Sequence, residues 1–320
     1  MSGHERSFPA AGFLLAVGSA ASFALSGTFA SALMSAGWSA GAAATARISL
    51  AALVLAIPTA IVMRGRWVLA WRARGPLLLF GLLAVAGCQL AFFIAVEFIP
   101  PSLALLIEFM GPVLLVFWTW ARTRIRPTGL TFLGAGIAVL GLLAISGIGS
   151  GQELNPIGIL FALIAAIGNA AYYATGADGD HGIPPLPFVG LGLAVGSVTL
   201  IAVSAVHVLP FTVTATAATI AEKAVSPLMV VAGLVLISTV LSYVLGVAAA
   251  RRLGAVMSAF TGYSEALFGI FWPIVLLGFV PSGLQWLGAA LIVAGVVVVK
   301  LGELRRVRPA PAIAADRVSQ

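Results

Sequence analysis

Glu108 sits in the apolar run LALLIEFMGPVLLVFW (Leu103 to Trp118), and Gly111 and Pro112 follow it within about one helical turn. Two more charged residues share such a setting, Arg47 in TARISLAALVL and Glu265 in TGYSEALFGI. A charge near the centre of a bilayer costs roughly 2.5 to 3.5 kcal/mol on insertion scales, so each should face a partner or a wet cavity. One guanidinium and two carboxylates are what a zwitterion requires: a planar fork for its carboxylate, and an anion or carbonyls for its ammonium. Pro112 adds to this set. It has no N–H, so the carbonyl of Glu108, four residues back, loses its helical donor, and a carboxylate and an orphaned carbonyl arise at one position. A membrane helix tolerates such a break where neighbouring groups or a cavity satisfy the backbone. The alternative is that Arg47 and Glu108 pair with each other and lock two helices together. Carboxyl groups in apolar helices can also take up and release protons, so Glu108 and Glu265 are candidate proton-coupling groups.

Other polar residues cluster by helical spacing. Ser258, Thr261 and Glu265 recur at i, i+3 and i+7 and make one stripe, which assigns Ser258 and Thr261 to the same cavity. Ser19, Ser22 and Ser26 make a similar stripe. Asn169 with Tyr172 and Tyr173, and Ser238 and Ser242 with Tyr243, either line a path or bond across helices. Gln89, Phe93 and Glu97 share a helical face, with Glu97 near enough to a boundary for interfacial solvation, and His207 reads as a solvated interfacial histidine. Cys88, the single cysteine, excludes an internal disulfide and reads as a small packing residue.

The elements that must position these groups follow from composition. The chain has 320 residues, 61% hydrophobic and 8% charged, with a mean hydropathy of +1.12; a soluble globular chain has roughly 25% charged residues. This is the composition of an integral membrane protein. Ten apolar stretches of about 20 residues, enough for a ~30 Å hydrocarbon core, fall near 12–33, 40–63, 76–97, 101–121, 128–149, 155–176, 186–207, 227–250, 253–279 and 282–301. All Lys and Arg except Arg47 and Lys223 then lie on one side, in the loops at 64–74, 122–126 and 251–252 and in the two tails. The net charge of +7 is therefore a topology signal that puts both termini in the cytoplasm, with Trp67, Trp71 and Trp120 at the same boundary, and it is not a nucleic-acid footprint. The start MSGHERSFPA lacks a secretory n-region, so the first helix should be retained, and the tail after Arg305 should be disordered.

A shift of 154 positions lays PTGLTFLGAGIAVLGLL (Pro127 to Leu143) on PSGLQWLGAALIVAGVV (Pro281 to Val297), with eight of 17 positions identical and no gap. The same shift lays Gly111 on Glu265 and Pro112 on Ala266. Two five-helix halves result, and because five is odd the second enters the membrane from the opposite side. The expected fold is all-α, with ten transmembrane helices as two inverted repeats: a tail at 1–11, repeats at 12–149 and 150–301, and a tail at 302–320. Inverted repeats imply a secondary transporter whose halves rock about a shared site. No P-loop, Cys/His metal spacing or soluble domain is present in the sequence, which argues against ATP-driven pumping and implies no cofactor.

The layout resembles the EamA-type transporters of the drug/metabolite transporter superfamily. ALLIEFMGPVLLV (Ala104 to Val116), TARISLAALVL (Thr45 to Leu55) and LISTVLSYVLGVAAARRLGAVMSAFTGYSEALFGI (Leu236 to Ile270) look like bacterial threonine/homoserine exporters. That resemblance implies export of amino acids or related small metabolites across a bacterial-type cytoplasmic membrane. It also implies that Arg47, Glu108, Phe109, Gly111, Pro112 and Glu265 occupy recurring positions. Such exporters tend to have Glu-Pro where this chain has Glu265-Ala266, so the second half is expected to bend elsewhere, at Pro273. The expected partners are a small-molecule substrate and the lipid bilayer, with no nucleic acid, as a monomer or homodimer. Two alternatives stand beside export. An exchanger of phosphorylated or nucleotide-linked solutes would want more buried cations than Arg47, and a membrane-embedded lipid-modifying enzyme would want acid, His or metal-ligand groups clustered near an interface.

Overall fold

The computed structural model describes residues 9–99, 101–146, 155–208, 210–220, 223–277, 280 and 282–307. The first eight residues, the junction between the halves near 150 and the tail after Val307 lie outside the described residues.

The first half comprises α1 (Pro9–Ser35), α2 (Ala40–Val62), the short α3 (Trp67–Arg72), then α4 (Arg74–Leu79) running through a π-helical segment (Phe80–Gly87) into α5 (Cys88–Phe98), followed by α6 (Pro101–Glu108), α7 (Gly111–Thr123) and α8 (Gly129–Ser146). The second comprises α9 (Pro156–Ala177), α10 (Pro185–Ala205), a hairpin of β1 (Ala218–Ile220) and β2 (Lys223–Val225), α11 (Pro227–Val235) running through a second π-helical segment (Leu236–Leu241) into α12 (Ser242–Leu253), then α13 (Ala255–Gly262), α14 (Ser264–Leu277) and α15 (Gly283–Val307). Eight helices among the described residues are long and apolar enough to cross a membrane. The stretches expected at 128–149 and 253–279 fall on the shorter α8 and on the pair α13 and α14.

Helices dominate because a backbone in hydrocarbon must satisfy its own polar groups, and their starts are written locally. Ser39 caps α2, its Oγ accepting from Ala42 N at 3.2 Å, and Asn155 caps α9, its Oδ1 accepting from Ile157 N at 2.9 Å. Pro156, Pro185 and Pro227 open α9, α10 and α11, where a missing N–H costs nothing. α15 runs to Val307, past the expected end at 301, since no helix-breaking residue intervenes before Pro309.

The shift of 154 reappears in the backbone. It carries Glu108, the last residue of α6, onto Gly262, the last of α13, and it carries the first π-helical segment onto the second. The second break therefore lies at Tyr263 and not at Pro273, which falls inside α14. Glycine is a weak helix former, and here its missing side chain has a second consequence. A Cβ on Gly262 would lie 2.1 Å from the Tyr173 hydroxyl, so α9 presses on the helix end where a side chain would otherwise stand.

α8 and α15 cross through glycine. A Cβ on Gly134 would lie 2.6 Å from the Gly295 carbonyl oxygen, and one on Gly141 would lie 2.7 Å from that of Gly288. Contacts that descend one helix while ascending the other make the pair antiparallel. Gly134 is the repeat mate of Gly288 and Gly141 of Gly295, so the two contacts exchange under the repeat.

Two larger apolar cores result, beside smaller clusters around Leu33 and around Cys88. Ile48, Phe80, Phe188 and Leu193 belong to one, built from α2, α4, α10 and α12; Phe109, Leu142, Phe260 and Tyr263 belong to the other, built from α6 to α9, α13 and α15. The segment before the hairpin is tied to the turn between α1 and α2. Ser39 N donates to Thr212 O (3.0 Å), Thr212 N to Ser39 Oγ (2.9 Å), Trp38 Nε1 to Thr214 O (2.8 Å), and Thr214 Oγ1 to Ala36 O.

Candidate functional site

A cavity of about 1040 Å³ is lined by residues from both cores. Arg47 reaches it from α2, Glu108 from the end of α6 and Glu265 from the first turn of α14. Phe109, Asn169, Tyr243 and Ser258 also line it. Two expected members do not. Pro112 is buried in the first turn of α7, and Thr261 is buried with its Oγ1 donating to Met257 O at 2.8 Å within its own helix. The stripe of Ser258, Thr261 and Glu265 presumed one continuous helix, and the break at Tyr263 interrupts it.

The first break has the form that Pro112 dictates. Phe109 N donates to Leu105 O and Met110 N to Ile107 O, both at 2.9 Å, and the ladder restarts with Leu114 N on Met110 O at 3.0 Å; none of these bonds ends on the Glu108 carbonyl. Gly111 lets α9 close on the break, since a Cβ there would lie 2.9 Å from Asn169 Oδ1. That oxygen is buried and has no hydrogen-bond partner among the described residues.

The two carboxylates meet opposite ends of helices. Glu108 closes α6, where free carbonyls carry partial negative charge and favour a cation nearby. Glu265 opens α14, where unpaired N–H groups favour an anion. Glu108 Oε1 accepts from Cys88 Sγ at 3.3 Å, and the same thiol lies 3.4 Å from Ala165 O. The lone cysteine is thus more than a packing residue.

Arg47, 8% exposed, makes no ion pair with either carboxylate among the described residues. Its guanidinium lies over the Phe23 ring, 5.2 Å from the centroid. With the Gln89 amide oriented as the hydrogen-bond network requires, Gln89 Oε1 accepts from Arg47 Nη2 at 2.7 Å and from Nε at 3.3 Å. The locking pair of Arg47 with Glu108 is absent from this arrangement. Gln89 carried only a weak signal, a polar amide on an apolar helix, and nothing in sequence spacing connects it to Arg47. Tyr172 and Tyr243 form an aromatic wall, with ring centroids 5.5 Å apart at 85°.

At one end the cavity is lined by Ser35, Ala40, Thr219 and Ile220, next to the turn between α1 and α2 and the hairpin. Among the described residues none of the loops at 63–73, 124–128 or 178–184 contributes to its lining. That opposite end is packed shut. Arg251 donates to Ile183 O and lies over the Phe188 ring at 5.4 Å, and His181 stacks on the same ring at 5.0 Å while its Nδ1 accepts from Ile183 N at 3.1 Å. Burial, and then the charge of Arg251, hold His181 below the ordinary histidine value. Glu97 and His207 are exposed. No group of three His, Cys, Asp or Glu that could hold a metal ion occurs among the described residues.

Residues 10–147 and 156–301 each match the model of the EamA-like transporter family. An uncharacterized inner membrane transporter, YicL, from Salmonella typhimurium is 26% identical over 238 residues, covering 73% of this chain and 75% of that protein. A solved crystal structure superposes with a TM-score of 0.71 at 20% identity, over 93% of this chain and 99% of that one, a likeness of fold.

Proposed function

The chain belongs to the EamA-like transporter family, and on that premise we propose that it is a secondary transporter exporting a small amino acid or related metabolite by alternating access. The observation that carries this is one cavity holding a guanidinium, Arg47, that has no ion pair among the described residues, and a carboxylate, Glu108, at the carbonyl end of a broken helix. Arg47 would take the substrate carboxylate in its planar fork. Glu108 and the carbonyl that Pro112 leaves without a helical donor would take the ammonium. Phosphorylated solutes are less well served, because Arg47 is the one Lys or Arg lining the cavity among the described residues.

Ten crossings follow if α8 and the pair α13 and α14 each span. The antiparallel crossing of α8 and α15, with contacts that exchange under the repeat, supports an inverted relation of the halves. The basic loops lie at the closed end, so by the charge rule the cavity faces outward in this structure, and both termini are cytoplasmic. Similarity to YicL, an inner membrane transporter, supports the bacterial inner membrane as the location.

The test is retention of labelled L-threonine and L-homoserine, then the remaining amino acids, in proteoliposomes, with Arg47→Lys, Glu108→Gln and the double Arg47→Met, Glu108→Gln. Arg47→Lys should weaken binding of the acid far more than of its amide. Recovery of both yield and transport in the double variant would instead make the two residues a structural pair and end the substrate-site assignment.

A further inference from the structure

A buried cation is ordinarily compensated by a carboxylate, because leaving it unpaired costs several kcal/mol. Arg47 departs from this. The groups in hydrogen-bond or ring contact with its guanidinium among the described residues are uncharged, the Gln89 amide oxygen, the Phe23 ring and Tyr243, while Glu108 and Glu265 act on it only across the cavity. Gln89 occupies the Nε and Nη2 edge of the fork, and Phe23 fixes the plane. The group is held in one orientation with no carboxylate in direct contact among the described residues.

We propose that Gln89 is the positioning residue that makes this cavity selective for a substrate bearing a carboxylate. It aims Arg47 through a neutral acceptor and so leaves the positive charge for the ligand. A glutamate of nearly the same shape at position 89 would aim the guanidinium equally well, but as a buried ion pair it would cancel the charge and repel an incoming carboxylate. Asn169 and Glu108 stand at the broken α6, where they do not compensate Arg47 by direct pairing. Carboxylate recognition thus depends on an amide being an amide.

Gln89's role presupposes that Arg47 is the carboxylate clamp proposed above, and the experiment separates the two. Binding of L-threonine and L-threoninamide, and of L-phenylalanine and L-phenylalaninamide, is measured by calorimetry on the purified full chain in detergent, for the wild type, Gln89→Glu and Gln89→Met. The wild type should prefer each acid to its amide. Gln89→Glu should lose about tenfold or more in affinity for the acids while holding the amides within about twofold, inverting the preference. Gln89→Met removes the acceptor without adding charge, so it should weaken the acids several-fold and keep their preference over the amides; this arm stands even if Gln89→Glu does not fold. Equal loss of acid and amide in either variant, with the wild-type preference intact, overturns the role of Gln89 and leaves Arg47 as the clamp. Absence of any acid preference in the wild type overturns the clamp, and Gln89's role with it.

Discussion

Phe109 and Tyr263 occupy the same position in the two halves, 154 residues apart, and their rings meet edge to face with centroids 6.2 Å apart at 79°. Each sits at the break of its own helix pair. The two interruptions therefore touch. They are not alike in chemistry, since Tyr263 carries a buried hydroxyl that has no partner among the described residues. An unsatisfied buried hydroxyl costs about 1 to 3 kcal/mol. Tyr263→Phe should therefore leave thermal stability in detergent unchanged or raise it, whereas Tyr263→Ala should lower it by about 3 to 5 kcal/mol through the cavity it opens. Marked destabilisation by Tyr263→Phe would show that the hydroxyl is bonded in the native state.

The crossing of α8 and α15 makes a contrast within one helix. A Cβ at Gly134 meets backbone that cannot move aside, while one at Gly136 meets nothing within 4 Å. Gly134→Ala should reduce stability by about 1 to 3 kcal/mol, and Gly136→Ala should be neutral or stabilising by up to about 1 kcal/mol. Melting curves of the two variants in one detergent decide it. Equal effects would mean that the helices do not cross at Gly134.

What the sequence made legible was what local chemistry dictates. Apolar runs had to be helices, and Pro112 had to interrupt one at the Glu108 carbonyl. Tertiary choices were hidden. The break at Tyr263 has no proline and comes with Tyr173 pressing on Gly262, a contact between residues far apart in the chain. The segment before the hairpin is tied to Ala36, Trp38 and Ser39 by bonds across more than 170 positions, which no local pattern records. Arg47, Glu108 and Glu265 were visible because charge in an apolar helix is conspicuous. Gln89 and Cys88 were not recognised as their partners, because an amide or a thiol there is also ordinary packing.

Topology offers a direct check on the inverted arrangement. In a Cys88→Ala background, cysteines at Arg66 and Lys223 should react with a membrane-impermeant thiol reagent from opposite sides of the membrane, position 66 from the cytoplasm. Reaction of both from one side would contradict the inverted halves.

We propose Glu108 and Glu265, the two carboxylates lining the cavity among the described residues, as the groups that would couple transport to protons. Replacing the coupling residue by Gln should abolish uptake driven by a proton gradient in inverted vesicles while sparing substrate exchange at equal pH. Gradient dependence that survives in both Glu108→Gln and Glu265→Gln would exclude them as the coupling groups.

The closed end should respond to acid through His181. Its Nδ1 accepts from Ile183 N, a role that only the unprotonated nitrogen can fill, and Arg251 faces it with a positive charge while Asp178 and Asp180 partly oppose that effect. Its folded value lies below the ordinary 6.5, so the native state binds fewer protons than the open one as pH falls. The stability this packing lends is complete above 6.5 and is lost as pH drops from there through the lowered value. Hydrogen exchange of the 178–184 segment, corrected for intrinsic rates, should therefore show protection falling between pH 7.5 and pH 5.5. In His181→Asn, whose amide oxygen can still accept but does not titrate, protection should stay level over the same interval. Equal acid loss of protection in both proteins would assign the effect to another group.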